Sequence, residues 1–133
     1  MGAWDSTSFG NDTACDWAYG LKEVNDLSLV ESAIYKVGES DYLEAPAAEE
    51  AIAAGDTLAR LLGRFDVKNS YTELVDDWVA KHKLIPSGKL IQSAQMAIER
   101  ILTPPSELLE LWQESDEFAT WQKHLEDLKK RLK

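Results

Sequence analysis

Apolar residues recur every three or four positions in one segment after another, and no segment alternates apolar and polar residues long enough for a strand. The clearest segment lies near the C-terminus, where spacings of three, four, three and four separate Phe118, Trp121, Leu125, Leu128 and Leu132. This period places the apolar residues on one side of a helix. The sequence therefore predicts an all-α protein, folded as a compact bundle of helices.

Capping residues, glycines and prolines divide the chain into about seven such helices. The first six are predicted to begin, in order, at Asn11 or Asp12, Asp26 or Ser28, Pro46, Thr72, Ser87 and Ser106. A chain of 133 residues has room for one core of ordinary size. We therefore expect a single helical domain over residues 1–133, with an N-terminal loop at 1–10 and a helical core at 11–133.

Small residues mark the apolar stripe of the third predicted helix, which runs through Ala48, Ala51, Ile52, Gly55, Leu58, Ala59 and Leu62. Glycine inside a helix costs about 1 kcal/mol relative to alanine. The position of Gly55 in this stripe favours a neighbouring backbone that packs tightly against the helix and compensates for that cost.

Five tryptophans are many for a chain of this length. Trp78, Trp112 and Trp121 lie on apolar stripes and are predicted to be core residues. Trp4 and Phe9 lie in the N-terminal loop, where no periodicity buries them. They either fold back under the helices as a plug or stay available to a partner, and we favour the plug because exposed aromatic residues usually serve a purpose.

Acidic residues outnumber basic ones, 24 to 14, which gives a formal net charge of −10. This balance argues against binding to nucleic acid or to an anionic membrane, since both require a basic surface. The excess is concentrated in residues 1–60, where 12 acidic and three basic residues give −9. Such a surface either keeps the protein soluble or attracts a basic protein partner.

The single cysteine, Cys15, excludes an intramolecular disulfide and fits a reducing compartment. No apolar run approaches the length of a membrane span, and the first residues do not resemble a signal peptide, so we expect a cytoplasmic protein. Asp12 and Asp16 would raise the pKa of the Cys15 thiol, which argues for a packed thiol and against a nucleophile.

Catalytic and metal-binding signatures are not found: there is no phosphate-binding glycine loop, GxSxG elbow, HExxH pair or paired CxxC. The best-spaced set of metal ligands is Glu117, His124 and Asp127 on the last helix. We expect these residues to form a solvated polar face opposite the apolar stripe, where Asp127 is also spaced to pair with Arg131. The sequence thus predicts no catalytic residues, no metal and no cofactor.

Three stretches of the sequence resemble one protein family: Met1-Gly2-Ala3-Trp4 with Phe9, Asn11-Asp12 and Trp17; residues 42–46 with 49–54; and residues 106–115 with Trp121 and Arg131-Leu132. The resemblance is to domain-of-unknown-function family 4259, a family of small, mostly bacterial proteins. It covers nearly the whole chain and implies a bacterial cytoplasmic helical protein. The family supplies no assigned active site from which residues could be carried over.

These observations favour a non-catalytic, acidic binding protein, for example an immunity-type inhibitor that occludes the cleft of a basic toxin or effector. Asp12, Asp16, Glu49 and Glu50 are the predicted partner-binding residues. The alternative is a homo-oligomeric structural or stress-associated protein that uses the small-residue helix or the last helix as its interface. An enzyme of unrecognised type is the least favoured class.

Overall fold

A computed structural model describes residues 3–39 and 41–133, and within these ranges it contains seven α-helices and no strand. The helices are α1 (Asp12–Tyr19), α2 (Ser28–Lys36), α3 (Ala45–Leu61), α4 (Glu73–His82), α5 (Gly88–Ile101), α6 (Glu107–Gln113) and α7 (Phe118–Arg131). The prediction of an all-α bundle of about seven short helices is confirmed. Across the described ranges, no helix is both long enough and apolar enough to cross a bilayer.

The helix boundaries follow from local chemistry. The Asn11 side chain accepts a hydrogen bond from the Ala14 N–H (2.8 Å) at the start of α1, and the Ser87 hydroxyl accepts one from Leu90 (3.1 Å) at the start of α5. Pro46 lies in the first turn of α3, and Gly63 adopts a left-handed φ of 80° after its end. These boundaries agree with the sequence predictions because caps act over a few residues.

Helix α3 is the central element of the bundle, and the other six helices pack around it. Every residue from Ala51 to Arg60 is buried, so the helix is enclosed on all sides over nearly three turns. Its alanines make this possible, since short side chains let several helices approach one axis. The packed tryptophans Trp78, Trp112 and Trp121 are buried in the surrounding helices, as predicted.

Gly55 does not face a closely packed backbone, contrary to expectation. A Cβ atom built at this position would meet the side chains of Leu128, Ile98 and Leu132 at 3.7–3.9 Å, which is ordinary van der Waals contact. Side chains from α5 and α7, not main chain, cover the glycine. The close approach predicted from the small-residue stripe is therefore wrong at this position.

We expect Gly55→Ala to raise the free energy of unfolding by about 1 kcal/mol, because alanine favours the helix and its methyl group fits the space present. Urea unfolding followed by circular dichroism measures the change. Gly63→Ala is the matched control, since the left-handed backbone there makes the same substitution destabilising. A loss of stability for Gly55→Ala would show that the site has less room than the structure gives it.

The two aromatic residues of the N-terminal loop differ in burial. Residues 1 and 2 of the predicted loop lie outside the described ranges. Phe9 is 2% exposed and lies beneath the helices, whereas Trp4 is 45% exposed, with its ring centroid 4.9 Å from that of Tyr71. The predicted plug is thus confirmed for Phe9 and wrong for Trp4. A bridge between Ala3 and Asn11 closes the loop that carries both residues.

Candidate functional site

Two charged residues of α3, Asp56 and Arg60, lie in the core with 1% of each side chain exposed. They are one helical turn apart, and Arg60 Nε donates to Asp56 Oδ1 at 3.0 Å. The other two guanidinium nitrogens donate to Asp76 Oδ1 (2.6 Å) and to the Val67 carbonyl (2.7 Å). Each nitrogen of this buried cation therefore has a partner, as burial of a charge requires.

Asp56 also joins the C-terminal helix to the N-terminal loop. Arg131 Nη1 and Nη2 each donate to one Asp56 oxygen at 3.1 Å, and the Ser8 hydroxyl donates to Oδ2 at 2.5 Å. Arg131 thus pairs with Asp56 across the core and not with Asp127 on its own helix, which corrects the expected pair. Burial acts to raise the pKa of Asp56, but the hydrogen bonds and charge of Arg131, with Arg60, outweigh it and hold that pKa below its usual value.

His124 lies between Ser8 and Asp66, as the histidine of a catalytic triad lies between its serine and its aspartate. His124 Nε2 is 2.9 Å from Ser8 Oγ, and His124 Nδ1 is 3.6 Å from Asp66 Oδ2. The proton positions differ from those of a triad. An ionised Asp56 accepts hydrogen bonds but donates none, so the Ser8 proton lies toward Asp56 and Ser8 Oγ accepts from His124 Nε2. The imidazole does not act as a base toward Ser8 here, and Ser8 is buried.

His124 lies on the inner side of α7, with 11% of its side chain exposed. The expected solvated face of Glu117, His124 and Asp127 is therefore wrong for its histidine. Position 124 is three residues after Trp121 and four before Leu128, which places it beside the apolar stripe. Sequence spacing alone contained this information, but the polar character of histidine suggested the opposite side.

Asp56, Asp66 and His124 place three potential metal-ligating atoms within 4.8 Å of one another. The two oxygens of Asp56, however, already accept four hydrogen bonds from Ser8, Arg60 and Arg131. Arg131 Nη2 also lies 3.9 Å from Asp66 Oδ2. The Arg131 guanidinium thus supplies the positive charge that a metal ion would otherwise supply. The geometry favours a structural ion cluster that connects α3, α4, α7 and two loops.

The pKa of His124 is lowered, chiefly by burial and also by Arg131, against the opposing charges of Asp56, Asp66 and Asp127. The folded state therefore disfavours protonation, while the unfolded histidine takes up a proton near pH 6.5. We expect the free energy of unfolding to fall as the pH decreases below about 6.5, until the folded-state pKa is passed.

Urea unfolding at a series of pH values from neutral to mildly acidic measures this slope. His124→Gln keeps a donor near Ser8 and should reduce the slope, whereas His82→Gln removes the other histidine of the chain and should leave the part due to His124 in place. An unchanged slope in His124→Gln would contradict the assignment.

The four predicted partner-binding residues do not form one group. Asp12 and Asp16 are exposed one turn apart on α1, and Glu49 and Glu50 are half-buried on α3. Glu49 lies near Asp12, because the negative charges that raise its pKa, after burial, are those of Glu107 and Asp12. Glu50 is the next residue along α3, about 100° around the helix, so it points away from Glu49.

Seven carboxylates form what we call the acidic face: Asp5, Asp12, Asp16, Glu44, Glu49, Glu107 and Glu110. Glu44, Glu49 and Glu107 line one groove with Tyr42, whose hydroxyl donates to Glu110, and Asp5 lines a small cavity together with Glu49. The directions in which the pKa values of three groups in this region are shifted agree with this arrangement. Burial and then Asp12, Asp16 and Asp5 raise the pKa of Cys15. Burial and then Glu107 and Asp12 raise that of Glu49. A hydrogen bond and the charges of Glu110, Glu107 and Glu44 raise that of Tyr42. The shared members Asp12 and Glu107 make the face continuous.

The beginnings of three helices meet in the acidic face and stabilise its charges. Asp12 opens α1, Glu44 precedes α3, and Glu107 opens α6. Helix N-termini carry partial positive charge and unpaired N–H groups, so carboxylates are favourable there. Glu107 Oε1 accepts from the Ala45 N–H at 2.7 Å and so caps α3 from a different helix.

A groove of about 450 Å³ lies between α3 and α6 within this face, and we call it the α3–α6 groove. Its lining combines carboxylates with apolar side chains: Tyr42, Glu44, Ala45, Pro46, Glu49, Glu107, Leu108 and Leu111. The Tyr42 hydroxyl at its edge donates to Glu110 at 2.9 Å. The groove therefore presents apolar side chains beside several carboxylates.

No carboxylate of the acidic face forms an ion pair with a lysine, arginine or histidine within residues 3–39 and 41–133. The basic C-terminal helix directs its charges elsewhere. Lys129 pairs with Glu99 and Glu126, and Arg131 pairs with Asp56. The negative charge of the acidic face is therefore not neutralised by the cationic end of the same chain.

Sequence reasoning missed several members of both groups. Glu107 and Glu110 belong to the second half of the chain, whose net charge is close to zero, and only folding brings them beside α1. Asp56 and Arg60 did leave a signal, since they are the two charged residues in the stretch from Ala51 to Leu62, where Thr57 is the one other polar side chain. A charged pair at i,i+4 in such a stretch indicates a buried ion pair.

Comparison with known proteins gave one match. The model of a family described as "Domain of unknown function (DUF4259)" matches residues 2–124 of the 133. No curated protein and no solved structure matched the chain.

Proposed function

We propose that this chain, which belongs to the DUF4259 family, is a non-catalytic binding protein that blocks a basic partner. The proposal is based on the surface that the chain presents. The observation that carries the proposal is the acidic face, seven carboxylates from α1, α3, α6 and the loops beside them. In this proposal the protein is a bacterial, cytoplasmic immunity-type inhibitor, and the acidic face covers the basic cleft of a toxin or effector.

Charge on the acidic face would act first on the rate of association. Clustered charges of one sign steer an oppositely charged partner and raise its association rate, and they disfavour acidic partners. The carboxylates of the acidic face, which form no ion pair within residues 3–39 and 41–133, are available for this purpose. The net charge of −10 adds a longer-range attraction in the same direction.

The α3–α6 groove would receive a lysine or arginine side chain of the partner. The aliphatic part of such a side chain fits the apolar surface of Pro46, Leu108 and Leu111, while its charged end meets Glu44, Glu49 or Glu107. Half-buried Glu49 is the strongest candidate within the groove. Burial and then the negative charges of Glu107 and Asp12 raise its pKa, and a cation of the partner would stabilise its ionised form against both.

The absence of a catalytic role is part of the proposal and is supported by the core cluster. Ser8 donates its proton to Asp56, and the cluster around it consists of satisfied ion pairs. The homo-oligomer alternative is less well supported, because the apolar stripes of α3 and α7 are buried within the chain.

Co-expression with the product of a neighbouring gene of basic composition is the most direct test. We expect the two proteins to co-purify and the toxic or enzymatic activity of the partner to be blocked. A nona-lysine peptide labelled with fluorescein provides a defined probe of the acidic face by anisotropy. Binding should weaken steeply with salt, and Glu49→Lys/Glu107→Lys should reduce affinity by about tenfold or more.

The matched control is Glu31→Lys/Asp77→Lys, which changes the net charge equally at two exposed carboxylates outside the acidic face. It should bind the peptide more tightly than the Glu49→Lys/Glu107→Lys variant does. Equal affinities for the two double variants would mean that net charge, and not the acidic face, drives binding, and the proposal would fail.

A further inference from the structure

Three exposed aromatic side chains, Trp4, Tyr19 and Tyr71, line a second groove of about 260 Å³, which we call the aromatic groove. Cys15, Ala18, Ser70 and Leu74 complete its lining. The other four tryptophans of the chain are buried, so Trp4 is the exception.

Trp4 is held in its exposed position by the N-terminal loop. The backbone N–H of Trp4 donates to the Gly10 carbonyl at 2.9 Å, and the Asp5 side chain accepts from the backbone N–H of Thr7 at 2.8 Å. The loop is tight at Gly10, where a Cβ would lie 1.8 Å from Asp5 Oδ1. The Trp4 and Tyr71 rings lie 4.9 Å apart, inclined by 42°. The aromatic surface is therefore preorganised, which lowers the entropic cost of binding.

The charge around the aromatic groove is negative. Asp12 and Asp16 of the acidic face lie on α1 with Cys15, which lines the groove. Burial and then the charges of Asp12, Asp16 and Asp5 raise the pKa of Cys15. Among the described residues that line the groove none is basic. Lys22 Nζ already lies 5.2 Å from the centroid of the Tyr19 ring, which shows a cation held against an aromatic ring at this edge.

We infer that the aromatic groove binds an arginine side chain of the basic partner, with the guanidinium against Trp4 and Tyr71 and the carboxylates of Asp5, Asp12 and Asp16 around it. This inference rests on the proposed function and adds an anchor to the acidic face. Aromatic faces attract cations, and tryptophan attracts them most strongly. Arginine fits better than lysine because its guanidinium is planar, stacks on rings and is weakly hydrated.

A second copy of the chain is a poorer occupant. Its net charge of −10 would meet the same negative surface, and like charges brought together oppose association. The aromatic residues at this edge of the acidic face instead match the usual composition of a binding hot spot, in which tryptophan and tyrosine predominate.

The test compares nona-arginine with nona-lysine peptides, which carry equal charge, by fluorescence anisotropy. For each protein, the arginine preference is the Kd for nona-lysine divided by the Kd for nona-arginine. We expect this ratio to be about three- to fivefold larger for the wild type than for Trp4→Leu. Trp4→Leu keeps an apolar side chain but removes the aromatic ring. Tyr71→Leu is the second variant, and circular dichroism shows which of the two remains folded.

Intrinsic fluorescence adds a direct reading, since the four other tryptophans are shielded from the peptide. Nona-arginine should change the emission of the wild type and leave that of Trp4→Leu unchanged. The Glu49→Lys/Glu107→Lys variant should bind both peptides more weakly while it keeps the preference for arginine.

Separate results overturn the two proposals. If both peptides bind in a salt-dependent way but Trp4→Leu and Tyr71→Leu keep the full arginine preference, the aromatic groove is not the arginine site and the proposed function stands. If neither peptide binds the wild type, the acidic face is not a surface for basic partners and both proposals fail. Loss of the arginine preference in either folded variant supports the inference.

Discussion

Asp56→Ala is expected to lower the free energy of unfolding by about 3–5 kcal/mol, the range observed when one partner of a buried ion pair is removed. Arg60 would remain in the core with its Nε unpaired, and Arg131 and Ser8 would lose their shared acceptor. Denaturant unfolding followed by circular dichroism measures the loss. A folded variant of nearly wild-type stability would show that the cluster is not a major stabilising element.

Asp66→Ala provides the matched control. Asp66 is 39% exposed and its contacts with His124 and Arg131 are long, so its removal should cost less than about 1 kcal/mol. Arg131→Ala should lie between the two, because Asp56 would keep its bond to Arg60. If Asp56→Ala does not fold at all, the order of stability between Arg131→Ala and Asp66→Ala still tests the role of the cluster.

Phe9→Ala is expected to destabilise the protein by about 3–4 kcal/mol, as is usual when a large buried aromatic side chain is truncated in a core. Phe9 is buried beneath the helices, and the Arg60 guanidinium lies 5.9 Å from its ring centroid. The truncation would leave a cavity next to the charged cluster. It would also release the loop that carries Ser8, which adjoins Phe9 in the chain.

Trp4→Ala is the comparison for Phe9→Ala, since both are aromatic residues of the same loop. Trp4 is half exposed, so its truncation should cost about 1 kcal/mol, chiefly the contact with Tyr71. Thermal and urea unfolding of both variants give the two values. Similar losses for the two residues would contradict the different roles that the structure gives them.

The helices themselves were predictable from the sequence. Their apolar residues recur at a period of 3.6, and their ends carry caps such as Asn11 and Ser87 that act on backbone groups three residues away. Such interactions lie within one turn of chain. For this reason the fold class, the number of helices and the burial of Trp78, Trp112 and Trp121 followed from the pattern alone.

The candidate site was less predictable, because its members come from distant parts of the chain. The acidic face joins Asp12 to Glu107, and the core cluster joins Ser8 to Asp56 and Arg131. No local pattern relates residues so far apart. The concentration of charge in the first half of the chain pointed to Asp12, Asp16, Glu49 and Glu50, of which Glu50 lies outside the acidic face. It concealed Glu107 and Glu110, and it included Asp56, which is buried and paired.

Sequence by itself determined the local structure of this protein: seven amphipathic helices, their caps and the need to bury their apolar stripes together. The tertiary structure alone decided which helix became the centre, which way Phe9, Trp4 and His124 faced, and which carboxylates became neighbours. The physical reason is the distance along the chain over which each kind of interaction acts. Periodicity and capping act within a few residues, whereas charge clusters and burial depend on how whole helices pack, and that packing is set by the sum of many contacts across the bundle.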